Sequence, residues 1–402
     1  MRLALIIDDY LPQSTRVAAK MYHELARYLV ENGHDVTVIT PSEGQKESLV
    51  QSSLNGVNIW RFSSGAIKDT PKIKRAINES LLSKRAWSAI SSCVKESTFD
   101  GVVYYSPSIF FGGLVAKIKT RCHCPSYLVL RDIFPQWVID AGMIKKGSLI
   151  ETYFRYFEKR SYQQANMIGL MSEKNRDMFN EMTADAYSTE ILRNWAELTP
   201  YVKADDKTGG FRKQLGLEDK IVFFYGGNIG HAQDMANLMR LTKEMSLYKD
   251  AHFLYVGSGD EVDLINELAQ EWQLENFTYL PSVNQDEFKA LLAEVDVGLF
   301  SLSSQHTAHN FPGKLLGYMV QSIPILGSVN SGNDLMDIVN DAKAGLISVN
   351  GDDDKLLRNA IALYESRNLR RDIGSAAYLL LENDFSVQSA AESIVAALRL
   401  NS

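Results

Sequence analysis

The residues with the most chemical potential lie between positions 306 and 319. There His306, His309, Asn310, Phe311, Pro312, Gly313 and Lys314 run into an apolar segment holding Leu315, Leu316 and Met319. Asn310 suits a helix N-cap, and Pro312 fits a first helical turn, where a missing N–H costs little. The amides of Gly313 and Lys314 then lack intrahelical acceptors, and the helix dipole puts partial positive charge beside them. Gly313 lets a ligand approach the backbone and Lys314 adds a full charge, so the stretch has the makings of an anion site suited to a diphosphate. The competing reading is an ordinary capped helix that packs its leucines inward.

Two glycine-bearing turns belong with it. Gly226 to His231 follows the apolar run 221–225, and Gly257-Ser258-Gly259-Asp260 follows the run 251–256. Neither is the dinucleotide fingerprint, because the second glycine pair and a ribose acid about 20 residues on are not cleanly placed. Each alone is explained as well by packing. Three such starts beyond strand ends in one half of the chain point together to a nucleotide-diphosphate site.

Elements must hold these loops in place. A strand over residues 2–8, a helix over 17–32 with Met21, Leu25, Tyr28 and Leu29 at helical spacing, and a strand over 34–40 open the chain, with Gly33 ending the helix. Strand–helix–strand with a short return is the signature of a parallel, doubly wound sheet. Further strands are predicted over 57–62, 101–105, 127–132, 167–172 and 188–192, with a turn over 134–137 and a helix over 149–165. A linker with a short helix over 196–219 follows. The pattern then restarts: strands over 221–225, 251–257, 277–280, 295–300, 323–327 and 346–349, helices over 234–245, 260–271 and 284–295, and a last helix over 387–400.

Composition narrows the class. A chain of 402 residues should form two domains. Its 45% hydrophobic and 23% charged residues are ordinary for globular proteins. No apolar run reaches about 18 residues, so no membrane-spanning helix is expected. Asp8 and Asp9 come too early for a signal peptide. Cys93, Cys122 and Cys124 are too few for a disulfide framework, and Cys122-His123-Cys124 has no second ligand pair at zinc spacing, so no metal is expected. The cytoplasm is the expected compartment, and no nucleic-acid partner is expected. Asp352-Asp353-Asp354 reads as a solvated loop.

The net charge of −7 is uneven: residues 51–160 carry 17 Lys and Arg against 8 Asp and Glu. That asymmetry points to an anionic surface or acceptor near the first half. A long helix predicted over 72–94 interleaves Lys72, Lys74, Arg75, Lys84, Arg85 and Trp87 with Ile73, Ile77, Leu81 and Leu82. It has the form of a membrane-surface helix that attracts anionic lipid or a lipid-linked pyrophosphate, or else of an amphipathic helix packed on a sheet.

With these residues in view, nearly the full length of the chain resembles the family 4 retaining glycosyltransferases of the two-domain GT-B fold. The pieces that carry the resemblance are the first strand with its loop to Pro12, residues 33–40, Arg131 to Pro135, Tyr225 to Gly230, Asp296 to Phe300, and Phe311 to Met319. Within the family it most resembles bacterial O-antigen and capsule transferases acting on N-acetyl-L-fucosamine.

The resemblance implies an α/β fold of two Rossmann-like domains around a cleft. Residues 1–200 would bind the acceptor and 201–383 the nucleotide sugar, and a final helix over about 384–402 would return to the first domain. It implies a UDP-sugar donor, a polyprenyl-diphosphate-linked glycan acceptor in lipopolysaccharide O-antigen or capsular polysaccharide synthesis, no cofactor or metal, and peripheral contact with the inner face of the cytoplasmic membrane. By position, Lys314 would bind the donor diphosphate, with Gly227, Asn228 and His231 in the glycine turn and His309, Asn310, Phe311, Pro312 and Gly313 around it. Pro281, Ser282 and Val283 would border the base. Ser14, Thr15 and Arg16 match a loop facing the donor, and Arg131 or Asp132 falls where many members keep a catalytic-site histidine. Two departures stand out. The usual Glu-x7-Glu pair falls on His309 and Gly317, so the ribose must be held otherwise. The usual cations after the glycine turn fall on Asn228 and Gln233, which leaves more of the phosphate charge to Lys314 and the helix amides, with His231, His306 and His309 placed to assist. A UDP-sugar 2-epimerase of the same fold, or a weakly catalytic partner subunit of a polysaccharide assembly complex, remains the alternative.

Overall fold

Strands made almost wholly of buried residues organise the chain. Residues 101–106 and 126–130 are buried at every position, as a parallel sheet covered on both faces requires. The computed structural model describes residues 1–14, 16–67, 70–140, 142–201, 210–304 and 311–401. It divides into two units, residues 1–194 with 387–402, and residues 195–386.

In the first unit the chain runs β1 (Arg2–Ile6), α1 (Val17–Glu31), β2 (Asp35–Glu43), β3 (Leu49–Leu54), β4 (Val57–Ser64), α2 (Lys72–Ser80), α3 (Leu82–Ile90) and β5 (Gly101–Ser106). It continues through α4 (Gly112–Cys122), β6 (Ser126–Leu130), α5 (Gln136–Asp140), α6 (Leu149–Tyr162), β7 (Met167–Leu170), α7 (Glu173–Thr183) and β8 (Thr189–Ile191). The second unit holds α8 (Phe211–Gln214), β9 (Ile221–Asn228), α9 (Met235–Glu244), β10 (Ala251–Ser258), α10 (Val262–Glu271), β11 (Phe277–Leu280) and α11 (Gln285–Leu292). After these come β12 (Val297–Ser301), α12 (Gly313–Val320), β13 (Ile325–Val329), α13 (Asp334–Asp341), β14 (Gly345–Val349), α14 (Asp353–Glu365) and α15 (Arg367–Asp384), and α16 (Val387–Leu400) rejoins the first unit.

The first unit's sheet has the order β3-β4-β2-β1-β5-β6-β7-β8, parallel except for the β3–β4 pair. The second unit's sheet is parallel throughout, β11-β10-β9-β12-β13-β14. Both are doubly wound, so the mixed α/β class with two Rossmann-like domains holds. The order reverses between β1 and β5 in one sheet and between β9 and β12 in the other. Ligands of open α/β sheets bind beyond the strand ends at such reversals. Helix α16 lies against α1 and β6, and its Leu398 reaches Gly101, where an added Cβ would be 3.0 Å away. Among the described residues, no helix is long and apolar enough to cross a membrane.

Several elements differ from expectation for identifiable reasons. Strand β3 is too polar to show an apolar run. Asn55 and Gly56, both at positive φ, fold it back onto β4 as a tight hairpin. The single helix expected over 72–94 is two helices meeting at Leu81. The break lets α3 turn Leu82, Ala86 and Ile90 into the core. Helices α4 and α7 were not anticipated. The first opens with Gly112 and Gly113, poor helix formers, because the backbone of Arg160 passes where a Cβ on Gly112 would sit, 2.7 Å from its carbonyl oxygen. The segment expected as a turn at Gln136 and Trp137 begins α5. The glycine turn expected from Gly226 is instead the end of β9, which extends to Asn228. Asp352 is an N-cap accepting from the Lys355 amide at 3.1 Å, and Asp353 pairs with Arg240, so the acidic run starts α14 and is not a plain loop.

Candidate functional site

Helix α12 follows β12, the strand at which the second sheet reverses. Its first residue is Gly313, with Pro312 as the N-cap, so Pro312 sits just before the first turn and not inside it. Asn310, expected as the cap, lies outside the described residues, as do His306 and His309. Gly313 is exposed, and the Gly313 and Lys314 N–H groups occupy the turn in which a helix has no internal acceptors. Leu315, Leu316 and Met319 are buried, so this short helix both packs and presents its N-terminus.

Lys314 turns back over β9. Its ammonium nitrogen lies 3.7 Å from the centroid of the Tyr225 ring. Gly227, at φ +118°, leaves the space beside it open: an added Cβ would be 3.7 Å from both Cε and Nζ of Lys314. Nζ is buried and has no hydrogen-bond acceptor among the described residues. The residue as a whole keeps partial exposure through its stem and backbone, but the charge itself is out of water. Burial pushes its pKa down to about 7. The aromatic face offers the charge partial compensation. An ammonium buried without a partner is costly, and a protein keeps one where something else supplies the counter-charge.

The rest of the rear cluster continues from Gly227. The β9 and β10 ends approach so closely that a Cβ on Gly257 would lie 1.8 Å from the Gly227 carbonyl oxygen, and one on Gly259 2.1 Å from that of Ile229. Asn228 donates to the Gln233 side chain at 2.7 Å, and its carbonyl accepts from the Tyr225 hydroxyl. The His231 amide donates to Asp260 at 3.3 Å, while its exposed ring stands 3.4 Å from Glu261. Ser282, beyond β11, donates to Ser258 at 3.0 Å, so Pro281 and Ser282 stand exposed at the same sheet edge while Val283 packs on the core. The structure therefore brings Lys314, Gly227, Asn228, His231 and the 281–283 segment to one edge of one sheet. Phe311 does not join them: it is buried with its ring 4.3 Å from that of Phe385, because an apolar ring gains more in the core than at a wet helix tip. Gly317 abuts Leu292, whose Cδ1 would be 3.3 Å from an added Cβ.

In the first unit, Asp9 was missed by sequence reading and is the hub of the loop after β1. It accepts from the Ser14 hydroxyl at 2.6 Å and pairs with Arg16 at 3.6 Å, and Ser14 in turn accepts from the Arg16 amide at 3.1 Å. Thr15 lies outside the described residues. Arg131 and Asp132 part company beyond β6. The Arg131 guanidinium is buried and donates to the carbonyls of Leu192 and Arg193 at 2.8 and 3.1 Å, so it braces the sheet and is not presented to a substrate. Burial lowers its pKa, and the neighbouring Tyr105 and Tyr22 oppose this. Asp132, the next residue, is exposed. Desolvation raises its carboxyl pKa and Arg131 opposes the rise.

Residues 18–194 match the sequence model of Glycosyltransferase Family 4, and residues 208–380 that of Glycosyl transferases group 1. Over 221 residues the chain is 26% identical to Probable glycosyltransferase WbjE of Pseudomonas aeruginosa, covering 54% of each chain, so the match spans about half the length of this curated relative. Among solved structures, HepE of Anabaena in complex with UDP and glucose superposes with a TM-score of 0.68 at 13% identity, over 100% of both chains. WaaG, a glycosyltransferase involved in lipopolysaccharide biosynthesis, superposes with a TM-score of 0.63 at 15% identity, over 98% of this chain and 99% of its own. At those identities the likeness is one of fold.

Proposed function

We infer that this chain, which belongs to the GT-B glycosyltransferases through its Family 4 and group 1 domains, moves a sugar from a UDP-sugar to a growing glycan in bacterial polysaccharide synthesis. The observation that carries the reading is the buried ammonium of Lys314, without a hydrogen-bond partner among the described residues, beside the open backbone of Gly227 and the N-terminus of α12. A diphosphate placed there gains a full positive charge and two free amides. Departure of UDP develops negative charge on the diphosphate, and preorganised donors aimed at that charge lower the barrier most.

We propose retention at the anomeric carbon, with the departing phosphate helping to deprotonate the acceptor hydroxyl on the same face. Lys314 and the helix amides then neutralise the phosphates without a metal ion. Asp132, not Arg131, takes the acceptor-side role, since Asp132 is exposed and Arg131 is buried. Residues 281–283 border the base. The acceptor we propose is a polyprenyl-diphosphate-linked glycan, met at the inner face of the cytoplasmic membrane. The proposed sugar, N-acetyl-L-fucosamine, rests on the overall sequence resemblance. Support for the setting comes from the relatives, one a probable glycosyltransferase and one involved in lipopolysaccharide biosynthesis.

Purified protein incubated with UDP-sugars and a lipid-linked acceptor should release UDP and extend the acceptor, and Lys314→Ala should do neither while keeping the fold. Epimerised UDP-sugar without transfer would replace this reading with the epimerase. Full activity in Lys314→Ala would remove the phosphate assignment.

A further inference from the structure

The first unit contains a cavity of about 170 Å³, lined among others by Ser80, Ser83, Lys84, Lys117, Phe157 and Arg160. It lies where the α2–α3 junction, the start of α4 and the C-terminal part of α6 meet. Among the described residues, no Asp or Glu lines it. The neighbouring cations on the same helices are neutralised, Arg75 by Glu79 and Arg155 by Glu158, each at 2.9 Å. The three lining cations differ. Arg160 donates to the Tyr156 hydroxyl at 3.0 Å and Lys117 stands 5.6 Å over the Trp87 ring, and among the described residues none of the three has a carboxylate partner.

The serine protons are already committed. Ser83 donates to the Phe110 carbonyl at 2.6 Å and Ser80 to that of Ile77 at 2.8 Å. The donors left to a guest are therefore the cations, which defines an anion site. Gly113 keeps the floor open, since a Cβ there would lie 3.4 Å from Arg160 Nη2. The pocket also has an apolar approach. Ile77 and Tyr156 are 56% and 57% exposed. Ile77 precedes Ser80 by three positions on α2 and Tyr156 precedes Arg160 by four on α6, so each shares a helix face with a pocket residue. The two helices are joined by the Tyr153 hydroxyl donating to the Ala76 carbonyl at 3.1 Å, and Leu149 and Ile150 extend the exposed apolar surface along α6. Helix α4 follows β5, the parallel neighbour of β6, and Gly112 and Gly113 at its start line the pocket.

We propose that this pocket binds the diphosphate of an amphiphilic, lipid-linked acceptor, with its phosphates on Lys84, Lys117 and Arg160 and its apolar chain along Ile77 and Tyr156. The proposal rests on the transferase reading and names the acceptor subsite of that reaction. A bare phosphate would use only the cations. The exposed apolar faces beside them favour a phosphate with a tail.

The test is a titration of the full chain, saturated with UDP so that the Lys314 site is filled, with inorganic pyrophosphate, farnesyl diphosphate and farnesol. Farnesyl diphosphate should bind at least tenfold more tightly than pyrophosphate, and farnesol should not saturate. Lys84→Glu with Lys117→Glu should weaken farnesyl diphosphate at least tenfold while UDP affinity and the melting temperature stay unchanged. Lys84→Gln with Lys117→Gln should move it in the same direction by less, which guards against a folding defect in the charge-reversed protein. Unchanged affinity in both variants would overturn the proposal. So would equal affinity for pyrophosphate and farnesyl diphosphate, or binding to phosphatidylglycerol vesicles that farnesyl diphosphate does not compete away. A protein that binds UDP but not farnesyl diphosphate loses this pocket and keeps the donor reading; the reverse result does the opposite.

Discussion

Lys314 concentrates the site's electrostatics in one atom. Its residue type and its place at a helix start were legible in the sequence. Its burial over Tyr225 was not, because the alignment of β9 under α12 is a long-range outcome. Replacing it with methionine should remove UDP binding and also stabilise the fold by about 1–3 kcal/mol, the cost of an unsatisfied buried polar group. Thermal melts with and without UDP check both halves. The pH dependence follows from the same burial. In the free protein this lysine titrates at about 7, and a bound diphosphate raises that value, so above pH 7 binding must take up a proton. UDP affinity should be greatest between about pH 6, where a terminal phosphate loses its second proton, and pH 7. Above that it should weaken roughly tenfold per pH unit until the bound-state value is reached. Calorimetry in buffers of different ionisation enthalpy would detect the proton, and a flat profile from pH 6 to 9 would rule the linkage out. Arg131 and Asp132 show the other limit of sequence reading. Of these adjacent residues past a strand end, Asp132 is exposed while Arg131 is buried and donates to the carbonyls of Leu192 and Arg193, which come from far along the chain.

Elements were legible where an apolar period is strong and hidden where geometry overrides propensity. The β1–α1–β2 opening is of the first kind. Strand β3 is of the second, although Asn55-Gly56 carried a hairpin signal that its polar flanks obscured. Helix α4 is also of the second, since its glycines answer to the backbone of Arg160. The glycines of β9 and β10 looked like turn formers but are needed because two strand ends nearly touch. Gly257→Ala should therefore push β10 from β9 and destabilise the protein by at least about 1–3 kcal/mol, the usual range for overpacking. It should also weaken UDP binding by shifting Gly227. A variant that melts like the parent and binds UDP normally would mean that the two strand ends tolerate separation.

At the scale of the whole molecule, two sheets each carry their own core, and one of them is assembled from distant parts of the chain. Helix α16 buries Val387, Ala390, Ala391, Ile394, Val395, Ala397 and Leu398. Each large apolar side chain among them contributes about 1.5–3 kcal/mol on burial, so their sum is comparable to the 5–15 kcal/mol (about) that holds a domain together. Ending the chain at Ser386 should abolish the first unit's melting transition and leave the second unit's in place, with UDP still bound there. Calorimetry resolves the two, and loss of both transitions together would show that the units do not melt separately. The excess of basic residues over 51–160 was visible in composition, but its focus on three cations without a carboxylate partner among the described residues was not, since α3, α4 and α6 are far apart in sequence.

The return of α16 also sets a timetable. A ribosome must add all 192 residues of 195–386 after the front sheet's last strand before the covering helix exists, about 10–40 s at common translation speeds of about 5–20 residues per second. During that interval the nascent front lobe waits with one flank bare, while the rear lobe, continuous in sequence, can finish first. Chaperone demand should therefore fall on the half of the protein that is made earliest.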